Sequence, residues 1–176
     1  LLNNARLVIC DTNIPEPTLA WIASHCKAPV FVDPVSTAKA VKVKPVLGRL
    51  HTLKPNRIEA ELLSGVAITG DESLARCADV LLSTGLHRVF ISLGRQGVYA
   101  ASHEGALLLP CRPAEPVNAT GAGDAFMAGL AWAYLEGTDL KGTALAGASA
   151  GAIAIEGAGT INPTLCAAAL RARMNQ

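Results

Sequence analysis

Residues 118–124 read Asn118-Ala119-Thr120-Gly121-Ala122-Gly123-Asp124, and an apolar stretch, Gly123–Leu135, opens directly from them. Two glycines in a tight turn expose backbone N–H groups, and a helix start adds its positive dipole end. Together these make a site suited to the oxygens of a phosphate. Asp124 falls in the first turn of the expected helix, where negative charge is favoured. A carboxylate there can accept a hydroxyl proton while the N–H groups neutralise a transferring phosphoryl group. The same residues also make an ordinary glycine turn with an acidic residue at a helix start, and Gly-Ala-Gly-Asp alone leaves both readings open. A dinucleotide fingerprint is excluded by the missing third glycine, and a P-loop by the missing Gly-Lys-Ser/Thr.

Working outward, strands and helices alternate. The runs 6–10, 29–33 and 88–93 are apolar and β-branched without period-two alternation, and 52–54 is a brief fourth. Such runs, separated by helices, predict a parallel sheet covered on both faces. Residues 98–103 and 106–110 flank Glu104-Gly105 and predict a hairpin. Helices are expected over 15–25, 41–50, 56–64, 71–84 (Asp71 as N-cap and Gly85 as C-cap), 123–135, 140–156 and 163–174. The last three are rich in Ala and Gly, which lets helices approach closely. No linker, repeat or low-complexity tract interrupts the 176 residues, so residues 1–176 are expected to form a single α/β domain.

Composition narrows the function classes. Hydrophobic residues make up 51% and charged residues 16% of the chain, which excludes a disordered protein. A formal net charge of +1 gives no broad field for nucleic acid or an anionic membrane, and the expectation is that neither is a partner. The apolar stretch 143–155 is too short and too interrupted by glycine to span a bilayer. Five scattered cysteines and four isolated histidines match no disulfide framework and no His/Cys metal site. Reduced thiols point to a cytoplasmic protein. The chain starts at Leu1 rather than Met, which predicts further polypeptide upstream.

Two more segments carry candidate chemistry. In Lys54-Pro55-Asn56-Arg57-Ile58-Glu59, Asn56 and Glu59 have the spacing of a capping box. The same pair can face a pocket and organise Mg²⁺ and its waters around phosphates, since magnesium needs few carboxylates when a nucleotide supplies oxygens. The two roles are compatible. Ser92-Leu93-Gly94-Arg95-Gln96-Gly97 ends an apolar strand, where open α/β sheets bind ligands and glycine lets a nucleotide approach the backbone. An ordinary strand-to-strand turn explains that hexapeptide equally, and Arg95 reads as a solvated loop charge. Lys39, Lys42, Lys44 and Arg49 form a basic stretch whose default is a solvated helix face, with a phosphate contact by Lys39 or Lys42 as the alternative.

The order KPNxxE, SLGxxG, then TGAGDAF at a helix start resembles the ribokinase-like (PfkB-type) carbohydrate and nucleoside kinases, from about Arg6 to about Pro163. CDTNI, FVDPVS, KVKP, HTLKPNRIEAELLSG and VNATGAGDA are similar to the pseudouridine kinase branch. The resemblance implies a mainly parallel sheet sandwiched by helices, incomplete here because the family's N-terminal strands, Gly-Gly sugar-binding segment and lid precede this region. It implies Asp124 as catalytic base and Gly121, Ala122 and Gly123 as the anion hole. Asn56 and Glu59 would position Mg²⁺ through water. Ser92, Gly94 and Gly97 would lie along ATP.

The reaction implied is ATP plus pseudouridine giving ADP and pseudouridine 5′-phosphate. Alternatives are a kinase of another sugar or nucleoside, or a nucleotide-binding fragment without activity of its own. Partners are then a small-molecule nucleoside or sugar, with a homodimer of the complete protein left open. Many family members have Asp where this chain has Asn118, at a turn associated with a monovalent cation, so the resemblance leaves potassium dependence undecided.

Overall fold

The computed structural model describes residues 2–176; Leu1 lies outside them. The described residues contain a six-stranded sheet in the order β1 (Val8–Asp11), β2 (Val30–Asp33), β3 (Thr52–Leu53), β4 (Arg88–Ser92), β5 (Val98–Ser102) and β6 (Gly105–Leu109). The first four run parallel, with Val8 opposite Val30, Phe31 opposite Thr52 and Thr52 opposite Arg88. β5 and β6 are joined by two residues, a connection that suits antiparallel neighbours. The architecture is α/β, as the runs of β-branched residues predict.

The chain groups into two compact units. The first comprises the residues up to Leu93 together with Tyr99–Leu108. Its core is apolar: Leu19, Val32, Leu53, Leu81, Val89 and Ile91 are fully buried. Each such side chain contributes roughly 1.5–3 kcal/mol of transfer free energy. The strands are connected through α1 (Glu16–His25), α2 (Thr37–Ala40), α3 (Arg57–Ser64) and α4 (Asp71–Ser83).

Two expectations in this unit are corrected. The segment read as a helix over 41–50 is a 3₁₀ helix, Val41–Arg49, with Pro45 inside it. Its apolar residues Val43, Val46 and Leu47 are buried at helical spacing, so periodicity reported the buried face but not the helix type. Asp71 is the first helical residue of α4, not its cap. Gly70 takes the cap position, and the Ser73 hydroxyl accepts from the Thr69 N–H (2.7 Å) and the Gly70 N–H (3.0 Å).

The second unit comprises Gly94–Val98 and Leu109–Gln176, with α5 (Ala122–Leu135), α6 (Leu140–Ile155) and α7 (Ala167–Met174). α5 and α6 meet backbone to backbone. A Cβ on Gly129 would lie 2.5 Å from the Ala146 carbonyl oxygen and 2.9 Å from the Ala150 Cβ. Ala133, Ala146, Ala150 and Leu170 form a buried cluster against which Trp132, Leu165 and Met174 pack. The last helix starts at Ala167 rather than Pro163. The Asn162 carboxamide oxygen accepts from the Thr164 N–H (3.0 Å) and hydroxyl (2.8 Å), and that side-chain turn holds Pro163–Cys166 out of the helix. Among the described residues, no helix is long and apolar enough to cross a membrane.

Candidate active site

In the first unit the carboxyl ends of the parallel strands gather polar groups. Asp11 and Asp33 stand opposite each other at the ends of β1 and β2. Next along the sheet, Lys54 follows β3, and its ammonium lies 3.0 Å from the Asp33 carboxylate. Ser92 ends β4, donates its N–H to the Pro55 carbonyl at 2.9 Å, and bridges to Asn56 as an isolated parallel pair. Open parallel sheets place their ligand sites at this edge, because the strands stop there and loops take over.

Asn56 and Glu59 form the capping box that their spacing predicts. The Asn56 carboxamide oxygen accepts from the Glu59 N–H at 2.9 Å, and the Glu59 carboxylate accepts from the Asn56 N–H at 2.8 Å. Asn56 is exposed, whereas Glu59 is only 2% exposed and Lys54 only 6%. Burial pushes the Glu59 carboxyl above its ordinary range, and Asp33 adds to that. The Asn56 N–H and the Lys54 ammonium oppose it.

A raised carboxyl pKa means that ionised Glu59 costs stability. Its contribution is best below the unfolded value and is lost as pH rises through the folded one. Glu59→Gln keeps an oxygen for the Asn56 N–H and removes the buried charge. Unfolding by urea at pH 5 and pH 8 is expected to find the variant at least as stable as wild type, with any gain on the alkaline side.

The loop after β1 is held by residues from the basic stretch. Asp11 accepts from the Asn13 N–H and from its side-chain amide, both at 2.8 Å. Lys39 donates to the Asn13 carboxamide oxygen. Lys42 donates to the Thr12 and Ile14 carbonyls at 2.9 and 3.2 Å. These two lysines are therefore structural fasteners of the β1 exit loop, a role between the solvated face and the phosphate contact weighed from sequence. Beside it, Val35 has φ +63° in a turn closed by the Ser36 N–H on Pro34 O, and its own N–H donates to Asp33 at 2.9 Å. Left-handed backbone at a β-branched residue is strained.

The remaining candidates belong to the second unit. Gly121 is the residue before α5, with φ +84°, and a Cβ there would lie 2.1 Å from the Thr160 carbonyl oxygen. Only glycine serves at that position. The helical ladder begins with the Ala125 N–H on Gly121 O at 2.9 Å, so the N–H groups of Gly123 and Asp124 precede it. Among the described residues no side chain caps α5, in contrast to α3 and α6, capped by Asn56 and Asp139. Asp124 is exposed in the first turn, and Ala122 donates to Ala119 O at 3.3 Å. Gly94 and Gly97 bracket a 3₁₀ turn, Gly94–Gln96. At Gly97 (φ +103°) a Cβ would lie 2.0 Å from the Leu109 carbonyl, whereas Gly94 has open space around it. Chain packing thus accounts for Gly97 by itself.

Sequence reasoning gave no role to Asp33, Lys54 or the Asp11–Asn13 loop. The signal for them is the polar residue that ends each apolar run at the same edge of the sheet. Among the described residues no group of three or more His, Cys, Asp or Glu side chains could hold a metal ion alone. With Glu59 almost wholly enclosed and its carboxylate engaged by the Asn56 N–H, magnesium would meet Asn56 and Glu59 only through water, with phosphate oxygens completing its shell.

The chain belongs to the pfkB family of carbohydrate kinases, whose model matches residues 5–166. It is 46% identical over 139 residues to the pseudouridine kinase of Escherichia coli K12, covering 77% of this chain and 44% of that protein. It is 32% identical over 126 residues to the ribokinase of Staphylococcus aureus COL, covering 70% of this chain and 41% of that one. Among solved structures, a carbohydrate kinase from Agrobacterium tumefaciens superposes with TM-score 0.79 at 30% identity, over 98% of this chain and 55% of that one. Arabidopsis thaliana ribokinase, solved with ribose and ATP, superposes with TM-score 0.89 at 23% identity, over 99% of this chain and 57% of that one, a likeness of fold. The fold is ribokinase-like. The chain spans about half the length of the curated relatives it matches.

Proposed function

We propose that the full-length protein is an ATP-dependent kinase that phosphorylates the 5′-hydroxyl of pseudouridine, working in the cytoplasm with its cysteines reduced. The observation that carries the chemistry is the uncapped start of α5 with Asp124 in its first turn. The choice of acceptor rests on the likeness to the E. coli pseudouridine kinase.

In this reading the acceptor hydroxyl oxygen forms a bond to the γ-phosphorus of ATP. The bond from that phosphorus to the β–γ bridging oxygen breaks, and ADP leaves. The hydroxyl proton passes to the Asp124 carboxylate. Transfer is late, because a carboxylate is a weak base and the proton becomes acidic only as the new P–O bond forms. The Gly121-Ala122-Gly123 turn would supply the anion hole, its Gly123 N–H free of the helical ladder and the Ala122 N–H shared with the Ala119 carbonyl, where fixed donors count most for a loose, charge-rich transition state. Ser92, Gly94 and Gly97 lie along the nucleotide. Asn56 and Glu59 would hold the waters of Mg²⁺, which when bound neutralises phosphate charge and orients the chain of phosphates. Lys54 fixes Asp33 and supplies positive charge at the sheet's edge.

The test is ADP release by the full-length protein with pseudouridine, uridine, ribose and fructose 6-phosphate in turn. Pseudouridine is expected to give the highest kcat/KM. Release with ribose and none with pseudouridine would move the acceptor and keep the kinase. No release with any acceptor, and no nucleotide binding, would end the reading.

A further inference from the structure

Asn118 stands at the head of the glycine turn, and the mechanism above leaves it without a task. Its backbone and side chain tie that turn to the loop after α6. The N–H groups of Val117 and Asn118 both donate to the Ile155 carbonyl, at 2.7 and 3.0 Å. The Asn118 carboxamide oxygen accepts from the Thr120 N–H at 2.9 Å. Its amide nitrogen donates to the Ala158 carbonyl at 3.1 Å. Two residues further on, the Thr160 carbonyl lies where a Cβ on Gly121 would go. The loop after α6 thus turns backbone oxygens toward the segment that presents the N–H groups of α5.

The amide has what this arrangement needs, one acceptor for the turn and one donor for the facing carbonyl. A carboxylate at the same position would accept from Thr120 equally well but would set anionic oxygen against the Ala158 oxygen. Oxygens gathered without a donor among them form the kind of cluster that hard cations fill. Asparagine closes the gap with a covalently attached hydrogen-bond donor.

We propose that Asn118 is a positioning residue that holds the Gly121–Asp124 turn by hydrogen bonding, so that phosphoryl transfer by this protein requires no monovalent cation. The inference rests on the kinase reading above. It extends that reading to how the turn is kept in shape and to the ion dependence of the reaction.

The experiment compares full-length wild type, Asn118→Asp and Asn118→Ala in potassium, sodium or tetramethylammonium chloride at equal ionic strength. Steady-state kinetics and thermal melting are measured in each salt. Wild-type kcat is expected to agree within about twofold across the salts, and its melting temperature to be no higher in potassium than in tetramethylammonium. Asn118→Asp is expected to be slow in tetramethylammonium, to recover at least about tenfold in kcat in potassium, and to melt at a higher temperature there. Asn118→Ala is expected to lose kcat more than ATP KM in every salt, with no rescue. Wild type that melts higher or turns over tenfold faster in potassium would overturn the proposal. So would an Asn118→Asp variant indifferent to the cation. The melting data stand without turnover, so a wild type inactive on every acceptor would count against the kinase reading while the salt dependence of melting still decides this one.

Discussion

Asp124→Asn in the full-length protein is expected to lower kcat by about 10³-fold, within the range for removing a positioned general base, while the Kd for ATP moves by less than about threefold. The asparagine side chain is the same size and keeps a carbonyl oxygen at the first turn of α5, but it has no basic oxygen to receive the hydroxyl proton. Asp124 is exposed, so no buried partner is lost with the charge. What stability is lost comes from the helix dipole and amounts to roughly 0.3–1 kcal/mol. A melting curve and an ATP titration on the same preparation therefore separate lost chemistry from lost folding. Turnover within tenfold of wild type would remove Asp124 from the base role, since no positioned base is worth so little.

Lys54→Met is expected to have the largest effect on stability, about 3 kcal/mol at neutral pH, the cost of leaving one member of a buried ion pair alone. Lys54 is almost wholly enclosed, and Asp33, 3.0 Å from its ammonium, has a side chain 14% exposed. Methionine matches the length of the stem but offers no charge. Glu59 suffers as well: burial already holds its carboxyl above the ordinary range, and Lys54 is one of the groups that draw it down. In the variant the Glu59 value climbs further, so the deficit should shrink as the pH is lowered and Glu59 takes up a proton. The double variant Asp33→Asn, Lys54→Met removes both charges of the pair and keeps an oxygen for the Val35 N–H. It should recover a large part of the loss, with a coupling of about 1.5–3 kcal/mol. Guanidinium unfolding of the four proteins at pH 7 and pH 5 measures all of this. Strict additivity, or a single-variant loss under about 1 kcal/mol, would mean that the pair is not energetically a buried one.

How much of this could be read from the chain depends on the distance over which each feature is encoded. The strands at 30–33 and 88–92 were legible because residues buried on both faces leave an unbroken apolar run. The glycine turn before α5 and the Asn56–Glu59 box were legible because all their determinants lie within a few neighbouring residues. The 3₁₀ character of Val41–Arg49 was not, since buried residues at spacings of three and four serve either helix. The start of α7 was missed because Asn162 competes for the backbone with its side chain, a choice that composition does not reveal. The Asp33–Lys54 pair joins neighbouring strands, and nothing local to either residue announces the other. Lys39 and Lys42 illustrate the same limit: their charge was visible, but the carbonyl and carboxamide oxygens they bind come from a loop on another part of the chain.

The meeting of Gly129 with the Ala146 carbonyl has a mechanical meaning. No side chain lies between Gly129 and the Ala146 carbonyl to be repacked, and Phe126 and Leu130 of α5 close on Gly147 of α6 with as little room to spare. Sliding or rolling of one helix on the other is therefore opposed by backbone contact first. A methyl group added at Gly129 would have to push α5 off α6, and with it the turn that carries Asp124.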